Sequence, residues 1–279
     1  PPPVFLSLRY TIHMLITSAS NPKVQRLQKL LQKKKVRHNV GLFVAEGVRL
    51  VEEALKWGVI PVELYWGEEI SDRGQELVDA FLPKVEFAYH LSDQLMRKVA
   101  GTNTTQGVLG VFTISSVFPT HPQFLLVAAQ IRDPGNLGTL MRSAKAMGVD
   151  GIITTPGTVD VYSPKVVRSA MGVHFSIPVC KYSWDGIAAK FPRREVTFWT
   201  TVVDGGEPII SESPKFPIAL VVGGEADGVS AEALTRSDVD ITIPMRGNTE
   251  SLNAGVAGSI ALYEIMKKRI EEKNTILPG

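Results

Sequence analysis

The run Phe124-Leu125-Leu126-Val127-Ala128-Ala129 is apolar at every position. A strand apolar on both sides of its pleat needs cover on both sheet faces, the situation of strands in parallel sheets flanked by helices. Residues 218–222, Ile-Ala-Leu-Val-Val, repeat the pattern, and 151–155, 177–181, 197–203 and 241–244 also read as strands. Helical spacing of apolar residues predicts helices over 137–147, 164–171, 184–191, 231–236 and from 251 to about 271. This alternation specifies an α/β fold with a mostly parallel, doubly wound sheet.

The first half alternates too, on a smaller scale. Asn21 is placed as an N-cap with Pro22 at the first helical position, and Val24, Leu27, Leu30 and Leu31 follow at helical spacing. Strands are expected at 42–45, 62–66, 85–89 and 107–114, with helices at 48–57, 72–81 and 92–99. Pro119 and Pro122 mark 115–123 as a linker between a unit at 14–114 and a unit at 124–279. The proline-led residues 1–13 read as an extension or cloning remnant, because Met14 opens a natural-looking start.

Charge and cysteine content narrow the function classes. A net charge of +2 carries no global nucleic-acid signature, so a nucleic-acid face must come from local clustering. One cluster exists. Lys23, Arg26, Lys29, Lys33, Lys34, Lys35, Arg37 and His38 occupy a stretch with no acidic residue between Asn21 and Ala45, the pattern that phosphate attraction requires. The single cysteine, Cys180, excludes an internal disulfide and fits a reducing, cytoplasmic setting. No apolar run reaches the ~20 residues of a membrane span. The five scattered histidines offer no zinc spacing, and neither a Gly-x-Gly-x-x-Gly turn nor a P-loop is present.

Three segments carry chemistry. Asp133-Pro134-Gly135-Asn136-Leu137-Gly138-Thr139-Leu140-Met141-Arg142 starts a helix and places an arginine on it. Gly223-Gly224-Glu225 follows an apolar strand and lets backbone approach a ligand closely. Ile243-Pro244-Met245 leads through a polar loop to Ser251-Leu252-Asn253 and a helix rich in small residues. Free backbone N–H groups gather at such a helix start. Asn136 and Ser251 read as the N-caps of their helices, Asp133 as a turn residue.

In this order the three segments resemble the motifs of the SpoU (TrmH-type) RNA ribose 2′-O-methyltransferases of the SPOUT superfamily. The resemblance covers 124–279 most clearly. In the first half, Phe43-Val44-Ala45-Glu46-Gly47-Val48-Arg49 is similar to the wording of the family's ribosomal-protein-like RNA-binding domain. The resemblance implies a trefoil knot in the C-terminal sheet, S-adenosyl-L-methionine as cofactor, no metal, and a homodimer built partly on the last helix. Dimerisation would bring the arginine of one subunit toward the cofactor of the other.

By the same resemblance Arg142, Asn136, Glu225, Ser251 and Asn253 are catalytic. Gly223, Gly224, Ile243, Met245 and Leu252 hold the cofactor. Lys23, Arg26, Lys33, Lys34, Lys35, Arg37 and Arg49 are the RNA-binding set. The chemistry is coherent with these residues: a ribose 2′-hydroxyl must be oriented, relieved of its proton and screened from its phosphate, and the planar fork of Arg142 grips phosphate. The expected substrate is ribosomal RNA ahead of transfer RNA. The rival expectation is an RNA-binding assembly factor that keeps the fold without the catalysis.

Overall fold

The computed structural model describes residues 15–100, 106–115, 117–224, 228–246 and 251–276. The segment 1–13 lies outside the described residues.

The N-terminal unit contains α1 (Pro22–Gln32), α2 (Lys34–Val40), β1 (Leu42–Glu46), α3 (Val48–Lys56), β2 (Glu63–Trp66), α4 (Asp72–Phe81), β3 (Phe87–His90), α5 (Asp93–Ala100) and β4 (Val108–Thr113). Its four strands run in the order β1-β4-β2-β3, with β4 antiparallel to both neighbours and β2 parallel to β3. Asn21 caps α1, its side chain accepting the Lys23 N–H at 2.9 Å. Val24, Leu27 and Leu30 are buried on the inner face of that helix. The later part of the basic run, Lys34 to His38, read above only as charge, folds into a second helix, which Gly41 ends in the left-handed conformation at φ 65°.

The second unit contains β5 (Phe124–Ala129), α6 (Pro134–Ala146), β6 (Gly151–Thr154), α7 (Pro164–Ser169), a 3-10 turn (Val173–Phe175), β7 (Val179–Lys181), α8 (Trp184–Lys190), β8 (Thr197–Thr201), β9 (Glu207–Pro208), β10 (Ile218–Gly223), α9 (Ala231–Arg236), β11 (Val239–Thr242) and α10 (Ala254–Ile276). The strand order is β7-β6-β5-β10-β8-β11-β9, and every pair is parallel. The two continuous apolar strands, β5 and β10, pair at the centre, and all six residues of β5 are buried. Truncating one of their leucines to alanine costs about 2–5 kcal/mol. The order reverses beside β5, which opens a crevice at the C-terminal strand ends, where such sheets bind ligands.

The two units share one hydrophobic core. The Phe43 ring lies 5.2 Å from that of Tyr162, and Phe112 lies 4.7 Å from Phe175. Ion pairs Arg37–Asp160, Arg168–Glu46 and Lys145–Glu53 surround the seam. The connecting segment is also tied down. It carries no helix or strand among its described residues, yet Phe118 is buried against Phe191 and covers Gly151 so closely that a Cβ there would lie 2.5 Å from the ring. Among the described residues no helix is long and apolar enough to cross a membrane.

Candidate active site

The first segment is built from the start of α6. Asp133, expected as a turn residue, is the N-cap: its carboxylate accepts the Asn136 N–H at 2.8 Å. Pro134 takes the first helical position. Asn136 therefore lies inside the first turn, and its side chain points to the last helix rather than to its own backbone. The Asn253 amide donates to Asn136 Oδ1 at 2.9 Å. Asn253 is in turn the cap of α10, its Oδ1 accepting the Val256 N–H at 3.2 Å. Ser251, expected to cap that helix, lies before it. Each segment offers two capping-type residues a few positions apart, and sequence alone does not choose between them.

Helices α6 and α10 meet through small residues. A Cβ on Gly258 would lie 2.2 Å from Leu140 Cδ2, and one on Gly255 would lie 3.3 Å from Asn136 Cα. The hydroxyls of Ser143 and Ser259 are 2.7 Å apart. The small face of α10 thus serves packing within the chain. On its other side Gly138 seats α6 against α7: a Cβ there would collide with Ser169, whose hydroxyl donates to the Pro134 carbonyl at 2.9 Å.

Between the C-terminal ends of β10, β8 and β11 and the start of α10 lies a cavity of about 580 Å³. Gly223, Gly224, Ile243, Met245 and Leu252 all line it, together with Ser251 and Asn253. Gly223 and Gly224 are required by the backbone path. A Cβ on either would sit 2.7 Å from a carbonyl oxygen, that of Gly228 or Gln130 respectively. Thr201, Val202 and Val203 also line the cavity. Sequence reasoning missed these three, because their nearness depends on β8 lying next to β10, which no local pattern encodes. Glu225 lies outside the described residues.

Arg142 is exposed and has no hydrogen-bond or ion-pair partner among the described residues. It does not line the cavity. Six positions beyond Asn136 is about 240° around a helix, so the two side chains leave α6 on different faces.

The basic set divides. Lys33, Lys34 and Lys35 are exposed on or beside α2 and carry no ion pair among the described residues. Arg49 is exposed at the start of α3, away from them in sequence and next to a crevice shared with Glu69 and Arg73. Arg26 pairs with buried Glu63 at 2.9 Å, and Lys23 lies over the Phe87 and Tyr89 rings. Arg37 corrects the expectation of an RNA contact. It is 4% exposed and donates through Nε at 3.0 Å and Nη2 at 2.5 Å to Asp160, and through Nη1 at 2.7 Å to the Leu30 carbonyl. It closes α1 and joins the units. Burial alone would raise the Asp160 carboxyl, but hydrogen bonds from Arg37 and His38 outweigh it and hold that group below its ordinary range.

The model of the SpoU rRNA methylase family matches residues 123–263 of this sequence, half of its length and all of the cavity. The chain belongs to the SpoU rRNA methylase family. A model of the MRM3-like substrate binding domain matches residues 21–110. This SpoU chain is 34% identical over 253 residues to the 23S rRNA (guanosine(2553)-2′-O)-methyltransferase RlmP of Bacillus subtilis, covering 90% of this chain and 98% of that one. It is 29% identical to the 23S rRNA (uridine(2479)-2′-O)-methyltransferase of Streptomyces viridochromogenes, covering 94% and 95%. Among solved structures, the AdoMet-bound rRNA methyltransferase from Sinorhizobium meliloti superposes with a TM-score of 0.80 at 27% identity, covering 91% of this chain and 97% of that one. The SpoU methyltransferase AviRb in complex with AdoMet gives 0.79 at 28% identity, covering 90% and 100%.

Proposed function

We propose that this chain transfers a methyl group from S-adenosyl-L-methionine to the 2′-oxygen of a nucleotide in ribosomal RNA, acting as a cytoplasmic homodimer. One observation carries the reading: the second and third sequence segments line a single cavity, and the Asn136–Asn253 bond ties the first segment to it.

The cavity suits the cofactor. Its volume lies in the range of small-molecule sites. Val222, Ile243, Leu252, Ala254 and Ala257 offer apolar walls for an adenine ring, and the glycine turn lets backbone reach polar atoms. The bound cofactor supplies an electrophilic methyl group on a sulfonium, so transfer needs no metal. Gly223, Gly224, Ile243, Met245 and Leu252 are assigned to hold it. Ser251, Asn253 and Asn136 order the edge of the cavity nearest α6. Glu225 keeps its assigned place in the second segment.

Arg142 grips the phosphate beside the target ribose, orients the hydroxyl and favours its loss of a proton. Its position off the cavity of its own chain supports service to the partner's cavity in the dimer. The outer side of α10 supports the dimer in turn, because Val256, Ile260, Tyr263 and Ile270 form an exposed row at helical spacing. Lys33, Lys34, Lys35 and Arg49 draw in the RNA backbone, with Lys23 and Arg26 as lesser contributors.

Mapping 2′-O-methyl sites in ribosomal RNA from cells with and without the gene tests the reading. Loss of one site on deletion, restored by the wild-type gene, is expected. Identical maps would overturn it.

A further inference from the structure

Gln130 follows β5 directly and stands in the left-handed conformation at φ 56°. Among the described residues nine glycines occupy positive φ, and only Gln130 and Met171 do so with a side chain. Met171 ends α7, where a left-handed residue is ordinary helix termination. No helix ends at Gln130. An unbranched side chain there strains the backbone, and glycine would relieve it.

The fold itself makes little use of this side chain. The Gln130 backbone N–H donates to Thr155 Oγ1 at 3.1 Å, a bond any residue except proline would make. Its carbonyl abuts Gly224, a wall of the cavity. Its methylenes lie over Gly157, where a Cβ would be 3.2 Å from Gln130 Cγ. Gln130 is half-buried, and its carboxamide has no hydrogen-bond partner among the described residues. It sits at the strand-order reversal, where β5 and β10 end side by side. The capped start of α6 follows three residues later.

A neutral carboxamide that both donates and accepts suits the edge of an unstacked base. We infer that Gln130 is a specificity-determining residue, its side chain reading the base of the nucleotide whose ribose is methylated. The inference rests on the methyl-transfer reading above.

Two variants separate side chain from strain. Gln130→Ala keeps the strained φ and removes the amide. Gln130→Gly removes the amide and the strain. The Gly variant should melt about 2 °C above the Ala variant, with both holding S-adenosyl-L-methionine within about twofold of wild type. Both should lose roughly tenfold in kcat/KM for ribosomal RNA from cells lacking the gene, measured with tritiated donor. On transcripts carrying each of the four bases at the mapped site, wild type should prefer the native base and both variants should flatten that preference roughly tenfold. Wild-type transfer and base preference in the Gly variant would overturn the inference, as would equal melting of the two variants or a loss confined to cofactor affinity. A wild-type protein that methylates no ribosomal RNA would instead defeat the methyl-transfer reading, and this inference with it.

Discussion

Asn253 holds two elements at once: its Oδ1 caps α10 through the Val256 N–H at 3.2 Å, and its Nδ2 donates to Asn136 of α6 at 2.9 Å. One side chain thus fixes where the last helix starts and how the first segment meets the cavity.

The two roles are separable by substitution. Asn253→Asp retains an acceptor for the cap but loses the amide donor. Thermal stability should stay within about 0.5 kcal/mol of wild type, while methyl transfer falls roughly tenfold. Asn253→Ala should lose the same activity and about 1 kcal/mol of stability besides. Paired melting curves and tritium-transfer rates check both statements.

The seam between the units makes a different prediction. Arg37→Ala leaves the buried Asp160 carboxylate with only His38 as an ionic partner among the described residues and should cost about 3 kcal/mol. Lys34→Ala on the exposed side of the same helix should cost under about 0.5 kcal/mol and raise the KM for RNA, with a reduced salt slope. Denaturant titration and rates at several salt concentrations distinguish the two. Equal effects of the two substitutions would contradict the placement of Arg37.

Acid should destabilise the fold in a defined window. Burial drives the His174 imidazole down from 6.5 to about 4, against a smaller opposing pull from its bond to the Val161 carbonyl. Between those values the unfolded chain binds the proton and the folded chain does not. Stability is therefore complete above pH 6.5 and declines as the pH falls toward 4, by about 3 kcal/mol. His174→Phe should be about 1 kcal/mol less stable at neutral pH, having lost that bond, and should show a flatter decline through the window. Melting temperatures at half-unit pH steps test this.

The exposed row on α10 predicts the state of assembly. Ile260→Asp or Tyr263→Glu should shift sedimentation from dimer to monomer and abolish methyl transfer without unfolding, because the same helix buries Ala261, Leu262 and Ile265 on its other side. A variant that remains dimeric would move the interface elsewhere.

The sequence made the catalytic sheet legible because β5 and β10 are apolar at every position, and burial on both faces leaves parallel packing as the natural solution. The cavity was legible because glycines and motif residues mark the ends of those strands. Registers of local hydrogen bonds were not. Asp133 and Asn136, like Ser251 and Asn253, are chemically interchangeable as caps, and only packing against the other helix decides which one turns outward. Arg37 was misread for a related reason. A basic run states its charge but not its helical phase, and the partner that draws Arg37 inside is Asp160, 123 residues away. The residues of β8 at the cavity depend on strand order, a long-range property.

The most direct test of the account is Arg142→Ala, assayed for transfer of tritiated methyl to ribosomal RNA from cells lacking the gene and titrated calorimetrically with S-adenosyl-L-methionine. The account predicts that transfer is abolished while cofactor affinity stays within about twofold of wild type, since Arg142 is assigned to the phosphate beside the target ribose and not to the cofactor. Undiminished transfer by that variant would contradict it.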